Sequence, residues 1–273
     1  DKKVYYFSST GEMQTGLVTV PASQNGGKAI TWAFDASGVR MEKSGKSSNV
    51  YYQINSKDFH VIHSQKLISS RIYMEGIDIS QHNGNIDLTK YQDGFVIIRV
   101  SWDVTLDTKA VRNMDLCEKL QIPYGVYVYS YALNESQAIA EADFALKSIN
   151  GRNIPLGVWF DMEDADGWKG RHGFKLTKDN VTKICNAFCN RIKNAGYNVG
   201  IYASDSWFVS STHENKTAGY IDCPSIDKWV AHWGEDNDGT LSSDVSNYAV
   251  VHQYTSVPLD KDVLYVDLSY FGE

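Results

Sequence analysis

At 273 residues, with 42% hydrophobic and 22% charged residues, the chain is long and apolar enough for one large or two smaller domains and is not a disordered polypeptide. The net charge of −7 is uneven: residues 1–75 carry nine Lys/Arg and six Asp/Glu, for +3, and residues 76–273 carry −10, an acidic body that disfavours nucleic acid as a partner. No apolar run approaches the ~20 residues of a membrane span, and no signal peptide stands at the start, so a mature or trimmed form is expected.

The first forty residues contain two copies of one pattern. Tyr5-Tyr6-Phe7 leads through a turn to Gly11, and Trp32-Ala33-Phe34 leads through a turn to Gly38, an offset of 27 residues. Between them, Gln24-Asn25-Gly26-Gly27-Lys28 predicts a hairpin turn. Tyr51-Tyr52 opens a degenerate third copy. Single hairpins bury no core, so the copies are expected to stack. Residues 55–75 show no clear period and read as the connection to a second domain, giving boundaries of 1–72 and 73–273.

From Gly76 the pattern alternates between strand and helix. Strands are expected at 76–80, 95–100, 123–129, 155–161 and 197–202, with helices at 109–120, 135–149 and 177–195. Asn134 and Thr177 are the expected N-caps. Three further strands, at 228–232, 249–254 and 263–268, follow without long helices. Eight strands of this kind predict an α/β fold, a parallel barrel irregular on its closing side, with its chemistry at the C-terminal strand ends. Cys185 and Cys189, four apart in a helix, read as apolar thiols rather than a metal pair, because no His or Cys stands at ligand spacing. Cys117 and Cys223 add no disulfide framework.

Val158-Trp159-Phe160-Asp161-Met162-Glu163 is the most informative stretch. Alternation along a strand puts Asp161 and Glu163 on one side. Like charges that close raise the pKa of at least one, which suits a general acid. Asp78, late in strand one, and Asp267, late in strand eight, are expected to be neighbours and to add two acids to the same rim. Tyr127, Tyr129, Tyr202, His232, Trp233 and Gln253 also fall at strand ends and make a groove suited to a sugar chain. No metal cluster and no Gly-x-Ser-x-Gly elbow compete with this reading.

Gly76-Ile77-Asp78-Ile79-Ser80, Gly125-Val126-Tyr127, the Val158–Glu163 stretch, Gly200-Ile201-Tyr202-Ala203, Trp229 to Trp233, His252-Gln253-Tyr254 and Val266-Asp267-Leu268 follow one another as in glycoside hydrolase family 25, which the chain resembles from about Gly76 onward. Members of the family often have His-Phe where this chain has Ser130-Tyr131 after its third-strand tyrosine. The resemblance implies a flattened barrel of five β/α units and three strands, and cleavage of the β-1,4 bond after N-acetylmuramic acid in bacterial peptidoglycan without a cofactor. It also implies action outside the cell or at its wall. Glu163 is then the general acid, assisted by Asp161, with Asp78 and Asp267 as the other actors. Two routes stay open: direct activation of water, or attack by the 2-acetamido group oriented by a carboxylate. A non-catalytic wall-glycan binder and a chitin-type hydrolase are the alternatives. Residues 1–45 resemble bacterial cell-wall-binding repeats, with a wall polymer as the implied partner. A small hairpin domain that only packs or spaces is the other reading.

Overall fold

The computed structural model describes residues 3–21, 23, 30–35, 37–41, 45–47, 50–54, 61–65, 72–208, 219–234 and 237–272. The amino-terminal repeat is real in three dimensions. Phe7 bridges Met13 and Phe34 bridges Arg40, both antiparallel and both at the 27-residue offset. Each turn closes on a glycine with positive φ, Gly11 at 84° and Gly38 at 77°, where a side chain would be strained. The glycine N–H donates back to the Ser8 and Asp35 carbonyls respectively. Strands β1 (Gly16–Val20) and β2 (Ile30–Phe34) pair antiparallel. The predicted turn at Gln24–Lys28 lies outside the described residues. A second sheet joins β3 (Gly45–Ser47), β4 (Val50–Ile54) and β5 (Val61–Gln65). The stretch read as a connection therefore holds a strand, which its polar composition hides.

The remaining chain builds the barrel. Its strands are β6 (Met74–Ile79), β7 (Phe95–Trp102) with the short β8 (Thr105–Leu106) on its flank, β9 (Tyr124–Tyr129), β10 (Val158–Asp161), β11 (Val199–Ser204), β12 (Asp227–Ala231), β13 (Val251–Thr255) and β14 (Lys261–Leu264). The helices are α1 (Ala110–Leu120), α2 (Glu135–Ile149), the single turn α3 (Trp168–Arg171), α4 (Lys178–Lys193) and the short α5 (Asp205–Phe208). Around the barrel the order is β6, β7, β9, β10, β11, β12, β13, β14 and back to β6. Both predicted caps are made: the Asn134 side chain accepts from Gln137 N, and Thr177 Oγ1 from Asn180 N.

Alternation along each strand divides the apolar residues in two. Val96, Ile98, Val126, Val128, Val158 and Phe160 face outward onto α1, α2 and α4, where Phe160 stacks on Phe188 at 4.2 Å. The four cysteines belong to this layer, buried and unpaired as disulfides. Phe95, Ile97, Trp159, Tyr202, Trp229, Val251 and Leu264 face inward and fill the barrel. Trp159 and Trp229 meet edge to face at 6.0 Å. Trp159 also lies over Gly200, where an added Cβ would stand 2.1 Å from its ring.

The closing strand departs from the expectation. Strand eight was expected over 263–268, running with the others. It spans Lys261–Leu264 and runs antiparallel to both neighbours, β13 and β6. Only residues 256–260 separate it from β13, enough for a hairpin but not for the crossover of a dozen or more residues that a parallel strand requires. The rim that carries the C-terminal ends of the other strands therefore carries the beginning of β14. Asp267 lies past its far end, exposed, where it accepts from Ser269 N and starts a short 3-10 turn. It is not a neighbour of Asp78. Asp262 holds the place that Asp267 was expected to take.

Candidate active site

Four inward positions bring acids to one rim. Asp78 sits near the end of β6 and Asp161 at the end of β10, both buried. Strand pairing continues one residue past Asp161, since Met162 N donates to the Tyr202 carbonyl at 2.9 Å and the Met162 side chain lies in the outer layer. Glu163 thereby returns to the inner side, half-buried, as the alternation predicts. Asp262 enters from β14, fully buried.

Hydrogen bonds fix this cluster. Gln253 Nε2 donates to Asp78 Oδ2 at 2.7 Å. Gln253 Oε1 in turn accepts from Tyr202 Oη and from Trp233 Nε1, each at 2.9 Å. Trp229 Nε1 donates to Asp262 Oδ1 at 2.8 Å. The carboxyls of Asp78 and Asp262 are themselves in hydrogen-bonding reach, which requires a proton on one of them. Asp161 Oδ1 has no hydrogen-bond partner among the described residues.

Burial pushes all four acids upward, and neighbouring carboxylates add to it. Burial raises Asp78 to about 8, with the Asp260 charge adding to it and the bond from Gln253 opposing it. Asp161 stands well above the ordinary carboxyl range through burial and then the charge of Glu163. Asp262 is raised by burial and then by Asp78. Glu163 is raised by burial, and the nearby Lys169 ammonium pulls it back. The rim is thus a proton-holding acidic site at neutral pH, able to deliver a proton at one point and accept a hydrogen bond at another.

The expected aromatic groups divide. Tyr127 lies partly buried against Trp229, ring centres 5.8 Å apart. Tyr202 and Trp233 support Gln253, and Trp233 keeps an exposed face. Tyr129 meets Tyr131 at 5.3 Å, and Tyr131 meets Trp168 at 4.9 Å, so an aromatic row leads outward from the end of β9. His232 is set apart: its Nδ1 is 3.8 Å from Asp205 and its ring approaches His252, an outward position of β13. Sequence reasoning missed Asp262, the buried Lys169, and Arg99, whose Nε binds Asp107 at 2.8 Å. For Asp262 the usable signal was the short β13–β14 spacing.

The sequence profile of glycosyl hydrolases family 25 matches residues 77–263. The chain belongs to glycosyl hydrolases family 25. Among solved structures, the family 25 chain is similar to the modular autolysin LytC from Streptococcus pneumoniae in complex with a synthetic peptidoglycan ligand, at 21% identity and a TM-score of 0.59, over 96% of this chain and 75% of that one. The catalytic domain of endolysin ply40 from bacteriophage P40 of Listeria monocytogenes matches at 25% identity and a TM-score of 0.55, over 71% of this chain and 94% of that one. A muramidase from Trichobolus zukalii matches at 21% identity and a TM-score of 0.52, over 72% and 96% respectively. A search of curated proteins found no match. The family 25 enzyme is a lysozyme, a glycoside hydrolase that cleaves the β-1,4 bond between N-acetylmuramic acid and N-acetylglucosamine in peptidoglycan.

Proposed function

We propose that Glu163 is the general acid of this hydrolysis, giving its proton to the leaving glycosidic oxygen. The observation that carries the assignment is its position: of the acids on the rim, Asp78, Asp161 and Asp262 are buried, and Glu163 is half-buried and open to a substrate. The partnerless Oδ1 of Asp161 is an acceptor waiting for a donor, and the acetamido N–H of the muramic residue is a donor that the substrate brings. Asp161 then orients that group for attack on the sugar carbon. Asp78 and Asp262, sharing a proton and held by Gln253 and Trp229, keep the floor of the site at fixed charge.

Glu163→Gln tests this. It should lower kcat by about 10²–10⁴-fold with the fold intact. Digestion of purified peptidoglycan, borohydride reduction and mass spectrometry should find reduced muramic acid ends from the wild type alone. A fully active Glu163→Gln variant rejects the assignment.

The enzyme acts outside the cell, on the wall, and residues 1–72 hold it to a wall polymer. The duplicated hairpins support this second part. Arg40 lies over the Trp32 ring at 4.6 Å and fills the face that a cationic ligand would need, which favours a neutral or anionic polymer. Binding of the Glu163→Gln chain to purified walls, with and without residues 1–72, tests it. Equal binding rejects it.

A further inference from the structure

Lys169 is a charged side chain with 1% of its surface exposed, in the single turn α3. The ammonium has specific partners. Nζ donates to the Glu163 carbonyl at 2.9 Å and to the Ser130 carbonyl. Those two groups stand just past the last bond joining β9 to β10, Ser130 N to the Asp161 carbonyl at 3.0 Å. Lys169 thus continues a ladder that the backbones no longer make. Its own backbone is fixed in turn, as Asp164 accepts from Lys169 N at 2.7 Å and from Gly170 N at 3.0 Å. Behind it, on α2, stands Glu141, completely buried. Glu141 Oε1 accepts from Tyr131 N at 2.7 Å, and Oε2 has no hydrogen-bond partner among the described residues.

Such an arrangement is a poor way to obtain stability, because buried ion pairs are often replaced by apolar side chains at no loss. Its geometry serves the acids. We propose that Lys169 is a positioning residue for Glu163: its ammonium ties the Glu163 backbone to Ser130 and keeps one fixed positive charge beside Glu163 and Asp161, with Glu141 as its buried counter-charge. The groups facing this ammonium are Glu141 from α2, Asp161, Glu163, Asp164 and Asp166 from β10 and the segment after it, and Tyr131 beyond β9, whose ring centre is 5.8 Å away. Arg99 of β7 adds a second positive charge beside Asp161. The Lys169 charge lowers the proton affinity of both Asp161 and Glu163.

The inference rests on Glu163 being the acid, so Glu163→Gln is assayed alongside. The measurement is kcat/KM against pH on solubilised peptidoglycan for Lys169→Met and Lys169→Arg, with thermal melting to confirm folding. For Lys169→Met, both limbs should move upward by about one pH unit, and kcat should fall ~10-fold or more with KM nearly constant. Lys169→Arg should return the limbs toward the wild-type position. A loss that is uniform in pH, with limbs unmoved, means a purely structural lysine and overturns the proposal. If Lys169→Met does not fold, Glu141→Gln decides: it keeps the bond from Tyr131 N, leaves the ammonium unopposed, and should move the limbs downward. Unmoved limbs there overturn the proposal equally. An active Glu163→Gln enzyme refutes the acid assignment itself; an inactive one with unshifted Lys169→Met limbs refutes only the role of Lys169.

Discussion

Replacing Asp78 by Asn should destroy activity and stabilise the protein, and the gain should depend on pH. Asn fits the site without rearrangement: its Oδ1 can accept from Gln253 Nε2, and its Nδ2 can donate to Asp262. What the substitution removes is a buried acid whose pKa rises from an ordinary 3.8 to about 8. A carboxyl held this way binds its proton more tightly when folded, so the wild type is penalised as pH rises. The penalty is absent below the unfolded pKa near 4, grows between 4 and 8, and is complete above about 8. At ~1.4 kcal/mol per pKa unit, the ceiling is about 5–6 kcal/mol, and sharing of the proton with Asp262 brings the expectation to roughly 2–5 kcal/mol. Urea unfolding of both proteins at pH 4 and pH 8.5 measures it. The variant should be the more stable at pH 8.5 by that amount and within about 1 kcal/mol of wild type at pH 4. Equal stability at pH 8.5, or a variant weaker at both pH values, refutes the account of a strained acidic rim.

Other consequences can be checked separately. Asp262→Asn should reduce hydrolysis by ~10²-fold or more, whereas Asp267→Asn should keep near-wild-type rates and a near-wild-type melting temperature; steady-state kinetics and melting on the pair discriminate the two sites. Gly200→Ala should destabilise by about 1–3 kcal/mol or more, because its methyl group would overlap the Trp159 ring; a denaturant midpoint equal to wild type contradicts the packing described for the barrel interior.

Local patterns carried much of this structure in the sequence. Asn134 and Thr177 announce their helices because a cap is a contact with a residue three positions on. Val158 to Asp161 announces its strand because it is apolar on both faces. The same alternation places Asp161 and Glu163 together. What stayed hidden depends on distant partners. Nothing near Lys169 marks it as buried, since Glu141 arrives from α2 and the Ser130 carbonyl from the end of β9. Asp267 was chosen over Asp262 because the two flank one apolar run, Val263 to Val266, and a strand running with the others would carry its rim acid at the far end. Direction, not composition, separates them, and direction follows from the few residues between β13 and β14.

That closing hairpin also constrains how the molecule is made. Asp78 lies on the first barrel strand and meets Gln253, 175 residues later, and Asp262 on the last. Until β14 docks against β6, Asp78 faces water and is ionised at neutral pH; once it docks, the acid must be protonated. Closure of the barrel is therefore a proton-uptake step. Refolding should accordingly be faster in mildly acidic solution than in alkaline, with the dependence reduced when residue 78 cannot ionise.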